Sequence, residues 1–278
     1  MGRPFALFIV ILALASAVGL ARAELVKYVN VVEPVVRTMH ESDEPVEFGV
    51  VGPGQTVYIV ADPRVPESGG GWDQLEITKL PEGWSTEPSL LFERPMKALI
   101  KAAPDADDGT YDVSFRAVDA YNGDYLGNMS FSGKVRVSRD VMEMSVSPLE
   151  ARTGVGQPAG YFVTIKNKGV ASDLFEVSVE GLPTWKYRKT VYVPYGMPYG
   201  ISKTVEYEIA GDEERDAELK VVVTSTSSPL IRAESSVKLH IQTNLISDFR
   251  AAGHGLLMFP VIEQPIYSLL GFISNLLG

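Results

Sequence analysis

The chain has 278 residues, with 25 Lys and Arg against 35 Asp and Glu and a formal net charge of −10. It has no basic patch longer than "KYRK" at Lys186–Lys189, which argues against a nucleic-acid partner. Cysteine is absent, so disulfides, thiolate metal sites and cysteine nucleophiles are excluded, and the 25 Gly and 18 Pro favour many short elements joined by turns.

Residues 1–23 read as a signal peptide. Arg3 stands in a short n-region, an apolar run extends from Phe5 to Leu20, and Ala21-Arg22-Ala23 is a small-residue cleavage pattern. The apolar run is shorter than the roughly 20 residues a spanning helix needs. This predicts cleavage before Glu24 and an exported, extracytoplasmic mature chain; the alternative is an uncleaved signal anchor.

From residue 24 to residue 243 the period is that of strands. In "QTVYIVAD" Val57, Ile59 and Ala61 alternate with Thr56, Tyr58 and Val60; "TYDVSFRAVDA", "SGKVRVSR", "YFVTIKNKG" and "SSVKLHIQ" follow the same rule. Alternation over four to eight residues, bounded by Gly, Pro, Asn or Asp, reads as half-buried strands of a sandwich. Residues 24–47 stay open between a first strand and an extended lead-in.

The pattern is written twice. "ITKLPEGWS" (Ile77–Ser85) returns as "VSVEGLPTW" (Val177–Trp185), and "GPGQ" at Gly52–Gln55 returns as "GVGQ" at Gly154–Gln157. Self-similarity at this spacing predicts tandem sandwiches at residues 24–140 and 141–243. In each copy Pro is expected to turn the chain, and Trp84 or Trp185 to close the end of a core.

"GQPAGYFVTIKNKGVASDLFEVSVEGLPTW" (Gly156–Trp185), with "APDADDGTYDVSFRA" (Ala103–Ala117) in the first copy, resembles the Ig-like β-sandwich found beside carbohydrate-binding modules of some α-galactosidases. The same module and related adhesion-type modules recur in archaeal cell-surface proteins. The resemblance covers roughly residues 45–242 and implies an all-β chain of two tandem immunoglobulin-like sandwiches. It implies spacer, adhesion or accessory roles, with no catalytic residues to carry over. The first copy departs from the pattern in the insert "PRVPESGGGWDQ" (Pro63–Gln74).

Residues with chemical potential are few. His40, His240 and His254 show neither metal-ligand spacing nor a triad phrase, and His240 reads as a surface strand residue. Asp105, Asp107 and Asp108 offer hard oxygen ligands that suit calcium, against the plainer reading of a polar turn; no other cofactor is expected. "YVPYGMPYGIS" places Tyr195, Met197 and Tyr199 in a Pro- and Gly-rich loop where they can stack on a sugar or dock on a protein, and Trp72 in "GGGWD" poses the same question. Asn128 opens an N-glycosylation triplet, "NMS".

After Gln242 the pattern changes. In residues 244–278 the apolar positions Ile262, Ile266, Leu269, Leu270, Ile273, Leu276 and Leu277 fall on one face of a helix. Leu256, Leu257 and Phe259 belong to an earlier helical stretch that Pro260 should end. From Pro265 onward the helix would be about 21 Å long, short of a hydrocarbon core of about 30 Å. The tail is therefore expected to lie in a membrane interface, dock into a membrane-protein complex, or pack on the chain's own sandwiches.

Together these features predict a non-enzymatic, membrane-associated surface protein whose sandwiches act as spacer, adhesion or complex-assembly modules towards protein or glycan. The alternative is a carbohydrate-binding accessory module using exposed aromatics. A hydrolase lacks support, since no nucleophile phrase or metal cluster is written in the chain.

Overall fold

Runs of alternating Val, Ile, Phe and Tyr bury every second side chain, and two facing sheets are the arrangement that shelters those faces. In the computed structural model, which describes residues 27–65, 70–121, 126–181, 191–192, 197–211 and 213–243, the described residues contain strands and turns and no helix. The signal segment and the tail, with Leu256, Leu257, Phe259, Ile266, Leu269, Leu270, Ile273, Leu276 and Leu277, lie outside the described residues, as do Trp185 and Tyr195.

The first half contains β1 (Val29–Glu33), β2 (Arg37–Met39), β3 (Val46–Val51), β4 (Thr56–Asp62), β5 (Arg64–Val65), β6 (Gly70–Gly71), β7 (Gln74–Lys79), β8 (Ser85–Glu87), β9 (Met96–Lys101), β10 (Gly109–Val118) and β11 (Asn128–Val137). The second contains β12 (Met142–Ser147), β13 (Glu150–Thr153), β14 (Pro158–Asn167), β15 (Phe175–Glu180), β16 (Val191–Tyr192), β17 (Ser202–Ala210), β18 (Arg215–Ser225) and β19 (Arg232–Ile241). Residues 24–47 thus supply a first strand rather than a lead-in.

The halves share one topology. Sheets of order β2-β1-β4-β9-β8 and β3-β11-β10-β7 face each other in the first, and β12-β14-β17 and β13-β19-β18-β15-β16 in the second. In each, a short strand runs parallel to the last one, β3 on β11 and β13 on β19, while the remaining pairs are antiparallel. The copies differ at two edges: β2 flanks β1 with no counterpart among the described residues of the second copy, and β8 pairs with β9, whereas its counterpart β16 lies in the other sheet and pairs with β15. The insert of the first copy forms the small β5–β6 hairpin.

Each sandwich has its own core. In the first, Phe115 stacks on Phe131 and meets Phe48 edge to face, in one core with Ile59, Leu75 and Ile100. Tyr161, Tyr207 and Phe175 fill the second, and the Tyr161 hydroxyl donates to the Lys238 carbonyl at 3.0 Å. Burial pushes the Tyr161 phenol up to about 12. Trp84 packs half-buried against the first core, with its ring 5.3 Å from that of Tyr111, and its N–H closes a turn onto the Pro81 carbonyl. The Leu-Pro-Trp phrase of the first copy is a core-closing turn.

The repeated Gly-x-Gly-Gln is also one turn used twice. Gln55 N–H donates to the Gly52 carbonyl and Gln157 N–H to the Gly154 carbonyl, both at 3.1 Å. The third residue has φ of 69° at Gly54 and 74° at Gly156, the left-handed conformation that a turn of this kind reserves for glycine. The first copy of the turn carries the junction described next.

Candidate functional site at the junction of the sandwiches

Asp173 lies in the turn between β14 and β15 and is buried. Its carboxylate accepts hydrogen bonds from Gln55 Nε2 (2.5 Å), Ser225 Oγ (2.6 Å), Ser227 Oγ (2.8 Å) and the Leu174 N–H (2.8 Å). Gln55, equally buried, belongs to the other sandwich, and its Oε1 accepts from Gly52 N–H at 2.7 Å. That bond orients the amide so that its NH2 points at Asp173; the flipped amide would set donor against donor. A buried carboxylate held by four donors is the arrangement in which burial of the group is compensated.

Backbone and apolar contacts flank this network. Val170 N–H donates to the Val50 carbonyl (2.8 Å), and Ser228 Oγ donates to the Pro104 carbonyl (3.1 Å). Val170 and Ala171 pack into the first core, while Val50 packs against the second. The two cores therefore interlock across the junction. The linker is held as well: Arg139 N–H donates to Asp108 Oδ1, and Lys168 Nζ pairs with Asp140.

Beside this network a groove of about 300 Å³ opens between the sandwiches. Glu33, Pro34, Thr56 and Tyr58 line it from the first sandwich, and Ser172, Pro198 and Tyr199 from the second. Tyr58 is 53% exposed and Tyr199 64%. Among the described residues no hydrogen bond engages either tyrosine hydroxyl or the Glu33 carboxylate. Sequence reasoning reached Tyr199 but passed over Tyr58, whose place in a regular alternation reads as an ordinary outward strand residue.

The other predicted residues fall elsewhere. Trp72 is a correction: it is 2% exposed, and its indole N–H donates to the Tyr28 carbonyl at 2.9 Å, so its ring belongs to the first core and offers no stacking face. Met197 is also corrected. It is fully buried, bridged to Asp173 through both backbone groups, and its carbonyl accepts from Asn167 Nδ2. Asp107 and Asp108 turn to Arg139 instead of converging with Asp105 on a common point, and among the described residues no group of three His, Asp or Glu is placed to hold a metal. These contacts are those of a polar turn. Asn128 is exposed at the start of β11. His240 sits between Asp216 (2.6 Å) and Glu150 (3.3 Å), joining β13, β18 and β19 at the surface.

A second exposed feature lies at the end of the first sandwich away from the junction. Leu90, Leu91, Phe92 and Tyr121 are all exposed, and the rings of Phe92 and Tyr121 stack at 5.7 Å and 10°. Phe92 has φ of 62°, a strained value for a bulky residue, held by its N–H bond to the Asp73 carbonyl. The sequence signal was three successive apolar residues between Pro88 and Pro95, outside any alternation.

No protein-family model matches the sequence, and no curated protein matches it. Among solved structures, the fibronectin(III)-like modules of Clostridium thermocellum CbhA are 15% identical over 77% of this chain and 94% of that chain, with a TM-score of 0.27. A chimeric titin Z1Z2 carrying a peptide from decorin is 13% identical over 79% of this chain and 99% of that one, with a TM-score of 0.32. A β-glucosidase from Listeria innocua is 18% identical over 37% of this chain, which spans 16% of that enzyme, with a TM-score of 0.27. These similarities are too distant to carry an argument. The strand order and the two cores establish an all-β chain of two tandem Ig-like sandwiches.

Proposed function

We propose that this chain is a non-enzymatic, exported and membrane-associated surface protein in which the two sandwiches form a stiff extracytoplasmic spacer and assembly module. The observation that carries this reading is the junction: Gln55 and Asp173 bond across it while Val50, Val170 and Ala171 seat in each other's cores. A tether of independent modules has no need of a buried, fully bonded carboxylate at its joint.

The directions of the strands support a spacer. β4 starts at the junction and runs to Asp62, which pairs beside Asn30 at the head of β1, so the chain enters at the far end of the first sandwich. β19 starts beside Ile231, which packs at the junction, and ends at Ile241, so residues 244–278 follow from the far end of the second. The tail holds one end at a membrane or in a membrane complex, and Leu90, Leu91, Phe92 and Tyr121 are presented at the other. Exposed apolar clusters of this kind serve protein contacts. The adhesion-type modules of archaeal cell-surface proteins are the family this reading favours.

Flotation of the mature protein with liposomes, with and without residues 244–278, tests it. The full mature chain should float and the truncated one should stay soluble and folded. If neither floats, membrane attachment through the tail is wrong.

A further inference from the structure

We propose that the groove between the sandwiches is a binding site for a neutral oligosaccharide, held between Tyr58 and Tyr199. This inference goes beyond the spacer role and stands whether or not the tail meets a membrane.

The chemistry of the groove selects its ligand. Two exposed tyrosines, one from each sandwich, line one cavity, and aromatic faces bind the apolar faces of sugar rings while the hydroxyls stay wet. Among the described residues, the other polar side chains on its lining belong to Glu33, Thr56 and Ser172. A carboxylate and hydroxyls accept hydrogen bonds from a ligand rich in O–H donors. Among the described residues no Lys, Arg or His lines the groove, and the chain carries a net charge of −10, so phosphorylated, sulfated or otherwise anionic ligands are disfavoured. The volume, about 300 Å³, lies at the lower end of small-ligand pockets.

An extended peptide is the rival occupant, because the groove-lining part of β4, Thr56–Tyr58, pairs with β9 alone while β1 pairs with β4 only from Val60 to Asp62. The two tyrosine faces favour a sugar, and the titration includes a peptide for this reason. The larger hollow between β7 and β8, about 460 Å³, is lined by Glu76 and Arg116, whose charges already neutralise one another at 2.6 Å.

The test is calorimetric titration of the mature protein with gluco-, manno- and galacto-hexaose, and with a proline-rich decapeptide, for the wild type and for Tyr58→Ala and Tyr199→Ala. Both tyrosines are exposed, so the variants should melt as the wild type does, which a thermal scan checks. The expected result is saturable binding of at least one hexaose, weakened tenfold or more by either substitution, with an untouched response in Tyr121→Ala at the far end. Absence of saturable binding to all three hexaoses overturns the proposal. Sugar binding that survives both substitutions overturns the location, and binding of the peptide in place of sugar overturns the ligand class.

Discussion

Asp173 concentrates the junction into one side chain. Removing its carboxylate leaves Gln55, Ser225, Ser227 and the Leu174 N–H facing a buried void, and orphaned buried donors are expensive. Asp173→Ala should cost about 2–4 kcal/mol in urea unfolding; a loss below about 1 kcal/mol would mean water replaces the carboxylate without penalty. Tyr161 gives a pH-dependent counterpart. Its phenol is held neutral to about pH 12 in the folded state, while the unfolded chain ionises near pH 10. The stabilisation is therefore complete below pH 10 and lost as pH rises from 10 to 12, by roughly 2–3 kcal/mol. Tyr161→Phe should unfold with a shallower alkaline decline than the wild type; identical profiles would place the ionisation elsewhere. Such residues were hard to read in the sequence because their partners are remote. Asp173 in "ASDLF" meets Gln55 from 118 positions away, and Trp72 in a Gly-rich insert looked exposed until the Tyr28 carbonyl, 44 positions away, claimed its N–H.

At the scale of elements, the sequence carried most of the information. Period-two alternation placed β4, β10, β11, β14 and β19, because a strand with one buried face must alternate. The repeated Gly-x-Gly-Gln marked the duplication, but neither the turn it forms in both copies nor that turn's two fates. A Cβ on Gly54 would lie 2.4 Å from the Ser227 carbonyl oxygen, whereas one on Gly156 meets nothing within 4 Å. Both positions have positive φ, so both alanine variants carry the backbone strain and only one carries the clash. Gly54→Ala should therefore lower the melting temperature clearly more than Gly156→Ala. Equal shifts would show that the junction yields to the added methyl. The sheet chosen by the edge strand, β8 on β9 but β16 on β15, had no signal in sequence. Edge pairing of two or three residues is decided by the neighbouring loops rather than by periodicity.

For the whole molecule, tandem duplication was legible from the repeated phrases, and the joint between the copies was not. A repeat says that two similar units follow one another; whether they swing or lock depends on side chains brought together only when both have folded. Here Val170 and Ala171 enter the first core and Val50 meets the second, and this interlock predicts a stiff pair whose groove has fixed walls. The natural sequence has no cysteine, so introduced pairs can be labelled cleanly. The most direct test is the spin-label distance distribution between Glu87→Cys on the first sandwich and Ser236→Cys on the second, both at exposed strand positions. A locked junction predicts a single narrow distribution that broadens when Asp173→Ala is added. A broad distribution in the parent pair would contradict the account, and the two sandwiches would then be independent modules on a flexible joint.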